Sequence, residues 1–158
     1  MGLRAAILQC LALWLPIQFA AAEPAQSGAK ITAPLNIKNE APLYFGKFSP
    51  GHDADGRLTL HETGLDSDGV VTLFSNDQSA ARFRVSGRDG ALYAIELPGE
   101  VTLSSPSQSQ LIAELVPLGP RYLVGGEDVF FVCAHLTVPA QQDIADYSGV
   151  FTVTVSYQ

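Results

Sequence analysis

Cys133 and His135 are the two residues whose types and spacing could most readily do chemistry. Side chains two positions apart on a strand point to the same face, so this pair could form a thiolate–imidazole couple or supply two metal ligands. Val129 and Phe131 would share that face, which equally fits a half-buried structural strand. A zinc site needs three or four ligands, and no further Cys or His motif supplies them. The structural interpretation is favoured, and the metal or reactive-thiol alternative stays open.

Acidic residues are grouped in two predicted loops. His52, Asp53 and Asp55 belong to the first, and Asp66–Gly69 forms the second. Each is faintly similar to a calcium loop, but calcium takes six to eight oxygens and neither loop has the required length. Asp and Gly are also ordinary turn residues. The sequence has no G-x-S-x-G nucleophile motif and no Gly-rich phosphate loop, so we predict no catalytic residue, no cofactor and no bound metal.

The N-terminus has the three parts of a secretory signal peptide. Arg4 is followed by the apolar stretch 5–19 and then by Ala20, Ala21 and Ala22. This stretch is too short and too interrupted to cross a hydrocarbon core about 30 Å thick, which disfavours the alternative of a membrane anchor. We therefore predict that residues 1–22 are removed. The protein is then exported to the periplasm, the cell surface or beyond, with no stable membrane span.

The predicted mature chain is acidic. Without Arg4 it carries eight Lys or Arg residues against 16 Asp or Glu, a formal net charge of −8. Such a chain repels phosphate backbones, so nucleic acid is not an expected partner. Its single cysteine, Cys133, rules out an internal disulfide, and exported domains often depend on disulfides. Either the core holds the fold alone or a partner chain helps.

The mature chain is predicted to be one all-β domain. Residues 23–30 have the composition of a flexible tether, and residues 31–158 consist of short strands separated by Gly, Pro and Asp turns, with no sustained helical period. We expect a hairpin turn at Arg88–Gly90, a long strand over Asp128–Val138 and a last strand over Gly149–Tyr157. This pattern predicts an antiparallel β-sandwich.

The terminal strands offer the most specific hypothesis. The last strand alternates cleanly, with four apolar side chains on one face, and a similar alternation begins at residue 31. The simplest interpretation is an ordinary closing strand. The alternative is that one of these strands pairs with another chain, because an unpaired strand edge is a template for strand addition. The candidate strand-addition residues are Phe151, Val153, Val155, Tyr157, Ile31, Leu35 and Ile37.

Several segments resemble a known family. They are Leu35–Ile37, the L-x-F-G-like segment Leu43–Gly46, the central segments Ala81–Gly87 and Tyr93–Pro98, Leu136–Pro139, and the closing Y-S-G-x-F-x-V-x-V-x-Y segment Tyr147–Tyr157. Together they resemble the bacterial exported family catalogued as domain of unknown function 4402. The resemblance covers about residues 34–158, and the closing motif is its most specific part.

The resemblance implies an immunoglobulin-like β-sandwich in the periplasm or on the surface of a Gram-negative bacterium. The family's C-terminal pattern is similar to that of pilin and spore-coat-type subunits of chaperone-usher systems. By that analogy, Tyr157 and its alternating partners form the edge that a periplasmic chaperone or a neighbouring subunit would contact. Two features depart from the pattern, namely Val132–His135 in place of a V-G-G stretch and the missing disulfide. The leading expectation is a fimbrial-like structural or adhesive subunit, and the alternative is a self-contained monomeric binding module.

Overall fold

The structure, a computed structural model, describes residues 33–158. The predicted signal peptide, the predicted tether and Ile31 lie outside this range. The described part contains strands and no helix, and therefore no helix that is long and apolar enough to cross a membrane. The strands are β1 (Asn36–Ala41), β2 (Phe48–Ser49), β3 (Gly56–His61), β4 (Gly64–Ser67), β5 (Thr72–Leu73), β6 (Ala81–Ser86), β7 (Leu92–Glu96), β8 (Glu100–Ser104), β9 (Gln110–Leu115), β10 (Arg121–Tyr122), β11 (Glu127–Val132), β12 (Ala134–Val138) and β13 (Thr154–Tyr157).

The first layer is built around β6 and β7, which follow each other along one line. β6 pairs with β1 and β11, and β7 pairs with β10 and β13, always antiparallel. The two ladders are joined because the Gly87 N–H donates to the Gly126 carbonyl at 2.9 Å and the Leu123 N–H donates to the Ala91 carbonyl at 3.0 Å. β10 and β11 therefore flank one side of the β6–β7 line, and β1 and β13 lie end to end along the other.

The second layer is a five-stranded antiparallel sheet in the order β4-β3-β12-β9-β8, and β2 and β5 form a separate small pair. The two-residue period of the strands buries alternate side chains between the layers. Leu58, Leu136 and Ala113 from the second layer and Val85 from the first are fully buried in one core. The expected all-β antiparallel sandwich is confirmed.

The predicted hairpin at Arg88–Gly90 is wrong. β6 and β7 do not pair with each other, although a turn does separate them. The Gly90 N–H donates to the Leu123 carbonyl at 2.8 Å, so the turn is held by the chain between β10 and β11. The turn residues correctly predicted that the strand ends here. The hydrogen-bond partners of the turn lie more than 30 residues away in the sequence, so the local pattern could not predict them.

The predicted long strand Asp128–Val138 is two strands in two different layers. β11 pairs with β6 as far as Val132, and β12 begins at Ala134 in the sheet with β3 and β9. Cys133 is the single residue at the crossing, and its carbonyl accepts a hydrogen bond from the Val116 N–H at 3.0 Å. Burial alternates unbroken through the crossing, with Phe130 and Leu136 both inside. The period alone therefore could not reveal the change of layer.

The predicted terminal strands differ from the observed ones. Among residues 33–158 the first strand begins at Asn36, two residues after Pro34, which has no N–H for a ladder, and Ile31 lies outside this range. The last is restricted to Thr154–Tyr157, since the chain before it crosses from one layer to the other.

A polar cluster fixes three strands of the first layer. The buried Tyr93 hydroxyl donates to Asp128 at 2.7 Å, and the Arg121 guanidinium donates to both Asp128 carboxylate oxygens, at 2.5 and 3.1 Å. Burial alone would raise the pKa of Asp128, but the hydrogen bonds from Arg121 and Tyr93 outweigh it and lower that pKa. Burial, followed by the hydrogen bond to Asp128, raises the pKa of Tyr93. The cluster links β7, β10 and β11, because Tyr93 and Arg121 both donate hydrogen bonds to Asp128.

Candidate functional site

The C-terminal candidate residues face the core of their own chain. Phe151, Val153, Val155 and Tyr157 are all half-buried and pack against the core, while Thr152, Thr154 and Ser156 between them are exposed. The predicted division of faces is therefore correct. These apolar side chains pack inside the sandwich, which leaves them little surface for another chain, and among them Phe151 also lines an apolar groove.

The segment before β13 closes half of one side of the sandwich. Ser148 and Ser104 exchange two backbone hydrogen bonds, at 2.8 and 3.0 Å, which attaches the segment to the edge of the second layer at β8. Gly149 then passes directly against the Thr102 carbonyl, where a side chain would not fit. From there the chain crosses to the first layer, where β13 pairs with β7.

Tyr157 joins the two ends of the described chain. Its hydroxyl donates to the Ala33 carbonyl at 3.0 Å and accepts from the Arg88 N–H at 2.8 Å. It lies over Gly87, in a space that Leu35 also borders. The structure thus brings Leu35 and Tyr157 together, while Ile37 packs half-buried on β1 and Phe151 lies farther along the closing segment.

An apolar groove opens the other half of the same side, and we call it the side groove. Its volume is about 710 Å³. Segment 42–50, which follows β1, forms one wall, and segment 142–151 forms the other. Its floor consists of core side chains from both layers, namely Ala81, Phe83, Val101, Leu103, Leu111, Leu136 and Val138. Most of these floor side chains are themselves buried, Leu136 and Val138 completely, so the groove is a depression that ends on the packed core.

The rim of the side groove carries exposed apolar side chains. Ile144 is 95% exposed, Val150 93% and Tyr44 40%. Large apolar side chains that are exposed around an apolar groove are typical of a surface that another molecule covers. The charged residues of the groove lining are Asp143, Asp146 and Lys47, so the lining has an excess of one negative charge.

The edge strand β8 borders the groove and has backbone groups that face outward. Ser104 directs its N–H and carbonyl away from β9, toward Ser148. Because successive strand residues alternate, Thr102 and Glu100 direct theirs the same way. Among residues 33–158 no strand pairs with β8 on that side. Because Gly149 packs against the Thr102 carbonyl, the outward groups left for pairing within residues 33–158 are the Thr102 N–H and those of Glu100.

Cys133 and His135, the pair first considered for chemistry, have surroundings that fit a structural role. The His135 ring nitrogen Nδ1 lies 3.1 Å from the Thr59 hydroxyl, and burial raises the pKa of the Cys133 thiol. A raised pKa keeps the thiol protonated and less nucleophilic. No group of three or more His, Cys, Asp or Glu residues within 33–158 lies close enough to hold a metal ion.

The acidic loops have hydrogen-bonding partners in the backbone. Asp68 accepts from the Arg57 N–H at 2.7 Å and from the Val70 N–H at 3.0 Å, and Asp55 accepts from the Ala140 N–H at 2.8 Å. These carboxylates hold turns in place, as Asp residues commonly do.

Sequence reasoning missed the side groove. Its walls and floor come from segments separated by as many as a hundred residues, and no local pattern links them. The one available signal was the presence of Ile144 and Val150 in a segment otherwise rich in Asp, Gln and Ser, which is unusual for an exposed loop.

The chain matches the model of a known protein family. The model of the family described as Domain of unknown function (DUF4402) matches residues 35–157. No curated protein and no solved structure matches the chain.

Proposed function

We propose that this chain, which belongs to the DUF4402 family, is an exported structural or adhesive subunit, fimbrial-like, whose side groove receives an extended segment of another chain. The observation that carries the proposal is the groove itself, a depression of about 710 Å³ that is lined by apolar side chains and lies beside the edge strand β8. A neighbouring subunit or a periplasmic chaperone would supply the segment. The proposal includes export to the periplasm or the cell surface.

The energetics favour an extended polypeptide in such a groove. Each apolar side chain that it buries would contribute about 1.5–3 kcal/mol, and hydrogen bonds to the Thr102 N–H and to Glu100 would satisfy outward backbone groups of β8. Alternate side chains of the segment would enter the groove while the others face solvent. The opening would then be closed by a partner, as one additional strand of the sandwich.

The first test is association of the chain without residues 1–22, measured by size exclusion with light scattering over a concentration series. An ionic strength of about 0.5 M shortens the Debye length to about 4 Å and so screens the like charges of two copies. We expect dimers or larger species at the highest concentrations, and an unfolding midpoint that rises with concentration. A monomer with a constant midpoint would exclude obligate strand exchange.

Two matched variants locate the association. Val150→Asp places a charge on the groove rim, and Val124→Asp places one on a similarly exposed valine, 81% accessible, in the turn between β10 and β11. We expect Val150→Asp to abolish association and Val124→Asp to leave it unchanged. Equal effects of the two variants would mean that the groove is not the contact.

A second candidate is a monomeric binding module for a small apolar molecule. The volume of the groove favours it, because ligand pockets commonly measure about 300–1,000 Å³ and are mostly apolar with a few polar groups. This candidate predicts a monomer at every concentration.

A further inference from the structure

The charge of the protein and the shape of the side groove restrict which chain can supply the segment. We infer that the partner is a different, basic chain, one whose extended segment alternates large apolar residues with Lys or Arg, and that a second copy of this protein binds the groove only weakly, once salt screens the like charges. This inference rests on the proposed function and identifies the partner class of the same groove.

The net charge of the protein favours a basic partner. The mature chain carries a formal net charge of −8, so two copies repel each other as they approach. A basic partner is attracted instead, and electrostatic complementarity raises the rate of encounter and suppresses wrong partners.

The charged side chains of the groove lining also favour a basic partner. Asp143 and Asp146 lie on one wall and Lys47 on the other. Asp143 accepts a hydrogen bond from the Ser109 hydroxyl, whereas Asp146 makes no ion pair or side-chain hydrogen bond within the part of the chain that the structure describes. The wall formed by segment 142–151 therefore presents negative charge beside an apolar floor, and the outward residues of a bound strand would lie near it.

Neither terminal segment of this chain meets both requirements. Residues 23–32 contain one acidic and one basic residue, and Ile31 is their only large apolar side chain. One isoleucine cannot fill a groove of about 710 Å³. The closing segment 149–158 has the required alternation, but it carries no charged side chain and already packs into its own sandwich.

Peptide binding tests the inference directly. The probe is a fluorescent ten-residue peptide of alternating valine and lysine. Two controls match it, one with glutamate in place of every lysine and one with the same composition but with all valines grouped together. Anisotropy titrations use the chain without residues 1–22. We expect the alternating basic peptide to bind at least about tenfold more tightly than either control, because only it combines the charge with the spacing of side chains along a strand.

Two further readouts separate groove binding from general attraction. The double variant Asp143→Asn/Asp146→Asn should weaken binding of the basic peptide by about threefold to tenfold, while Asp89→Asn, in the turn between β6 and β7, should not change it. Binding of this peptide should weaken as salt is raised, whereas self-association should strengthen.

Defined outcomes would overturn the inference. Equal affinity for the basic and acidic peptides would show that the partner does not need to be basic. Equal affinity for the alternating and grouped peptides would show that the peptide binds by charge attraction and not as a strand in the groove. If none of the peptides bound while the protein self-associated through Val150, the partner class would be wrong but the proposed function would stand. If the protein also stayed monomeric, both would fail, and binding of a small apolar molecule would become the better account.

Discussion

Replacing Gly87 with valine is expected to lower the free energy of unfolding by about 2–4 kcal/mol. A β-carbon at Gly87 would overlap the Tyr157 hydroxyl and press against Leu35 and Leu123. Tyr157 would have to leave, losing its hydrogen bonds to the Ala33 carbonyl and from the Arg88 N–H. The contact between the N-terminal segment and β13 would be lost with it.

Chemical denaturation of the Gly87→Val variant measures this effect, and Gly119→Val is its matched control. No atom lies within 4 Å of the position that a β-carbon would take at Gly119. The control should unfold at nearly the wild-type denaturant concentration. If both variants lost the same stability, backbone preference would explain the result and the contact with Tyr157 would not.

Replacing Asp128 with alanine is expected to lower the free energy of unfolding by about 2–4 kcal/mol. The substitution leaves the buried Tyr93 hydroxyl without its acceptor and removes the partner of Arg121. Tyr93→Phe removes the stranded hydroxyl, so the double variant should lose less than the sum of the two single losses. Strict additivity in this double-mutant cycle would contradict a direct coupling between the two side chains.

The same carboxylate predicts a dependence on pH. Because the pKa of Asp128 is lower in the folded protein than its unfolded value of about 4, its contribution to stability is present above that value. The contribution disappears as the pH falls through the folded pKa. The difference in stability between the wild type and Asp128→Ala should therefore be constant near neutral pH and shrink on acidification below about pH 4. A difference that grew on acidification would contradict the lowered pKa.

Period-two patterns predicted which side chains face the core, and did so without knowledge of strand partners. The alternation from Phe151 to Tyr157 divides the faces correctly, although only Thr154–Tyr157 is a strand. Side-chain direction depends on local backbone conformation, whereas pairing depends on distant hydrogen bonds. The sequence pattern therefore did not predict the change of layer at Cys133, since inward and outward residues continue to alternate through it.

The side groove was even less predictable from the sequence than the change of layer, because it depends on how distant segments are arranged in the fold. Phe83 and Leu136 are ordinary core residues of their strands, and nothing in either strand indicates that the space between the layers stays open beside them. The opening exists because the closing segment leaves β8 at Gly149 and crosses to β7. The course of that segment is decided by packing between layers, which sequence patterns do not encode locally.

Hydrogen–deuterium exchange along the groove edge tests the central claim most directly. The chain without residues 1–22 is compared at low and high concentration, at an ionic strength of about 0.5 M. We predict that association slows exchange of the Glu100 and Thr102 amides and of segment 43–48, and leaves the edge strand β4 unchanged. Slowing at β4 with unaltered exchange along the side groove would contradict the claim that the groove receives another chain.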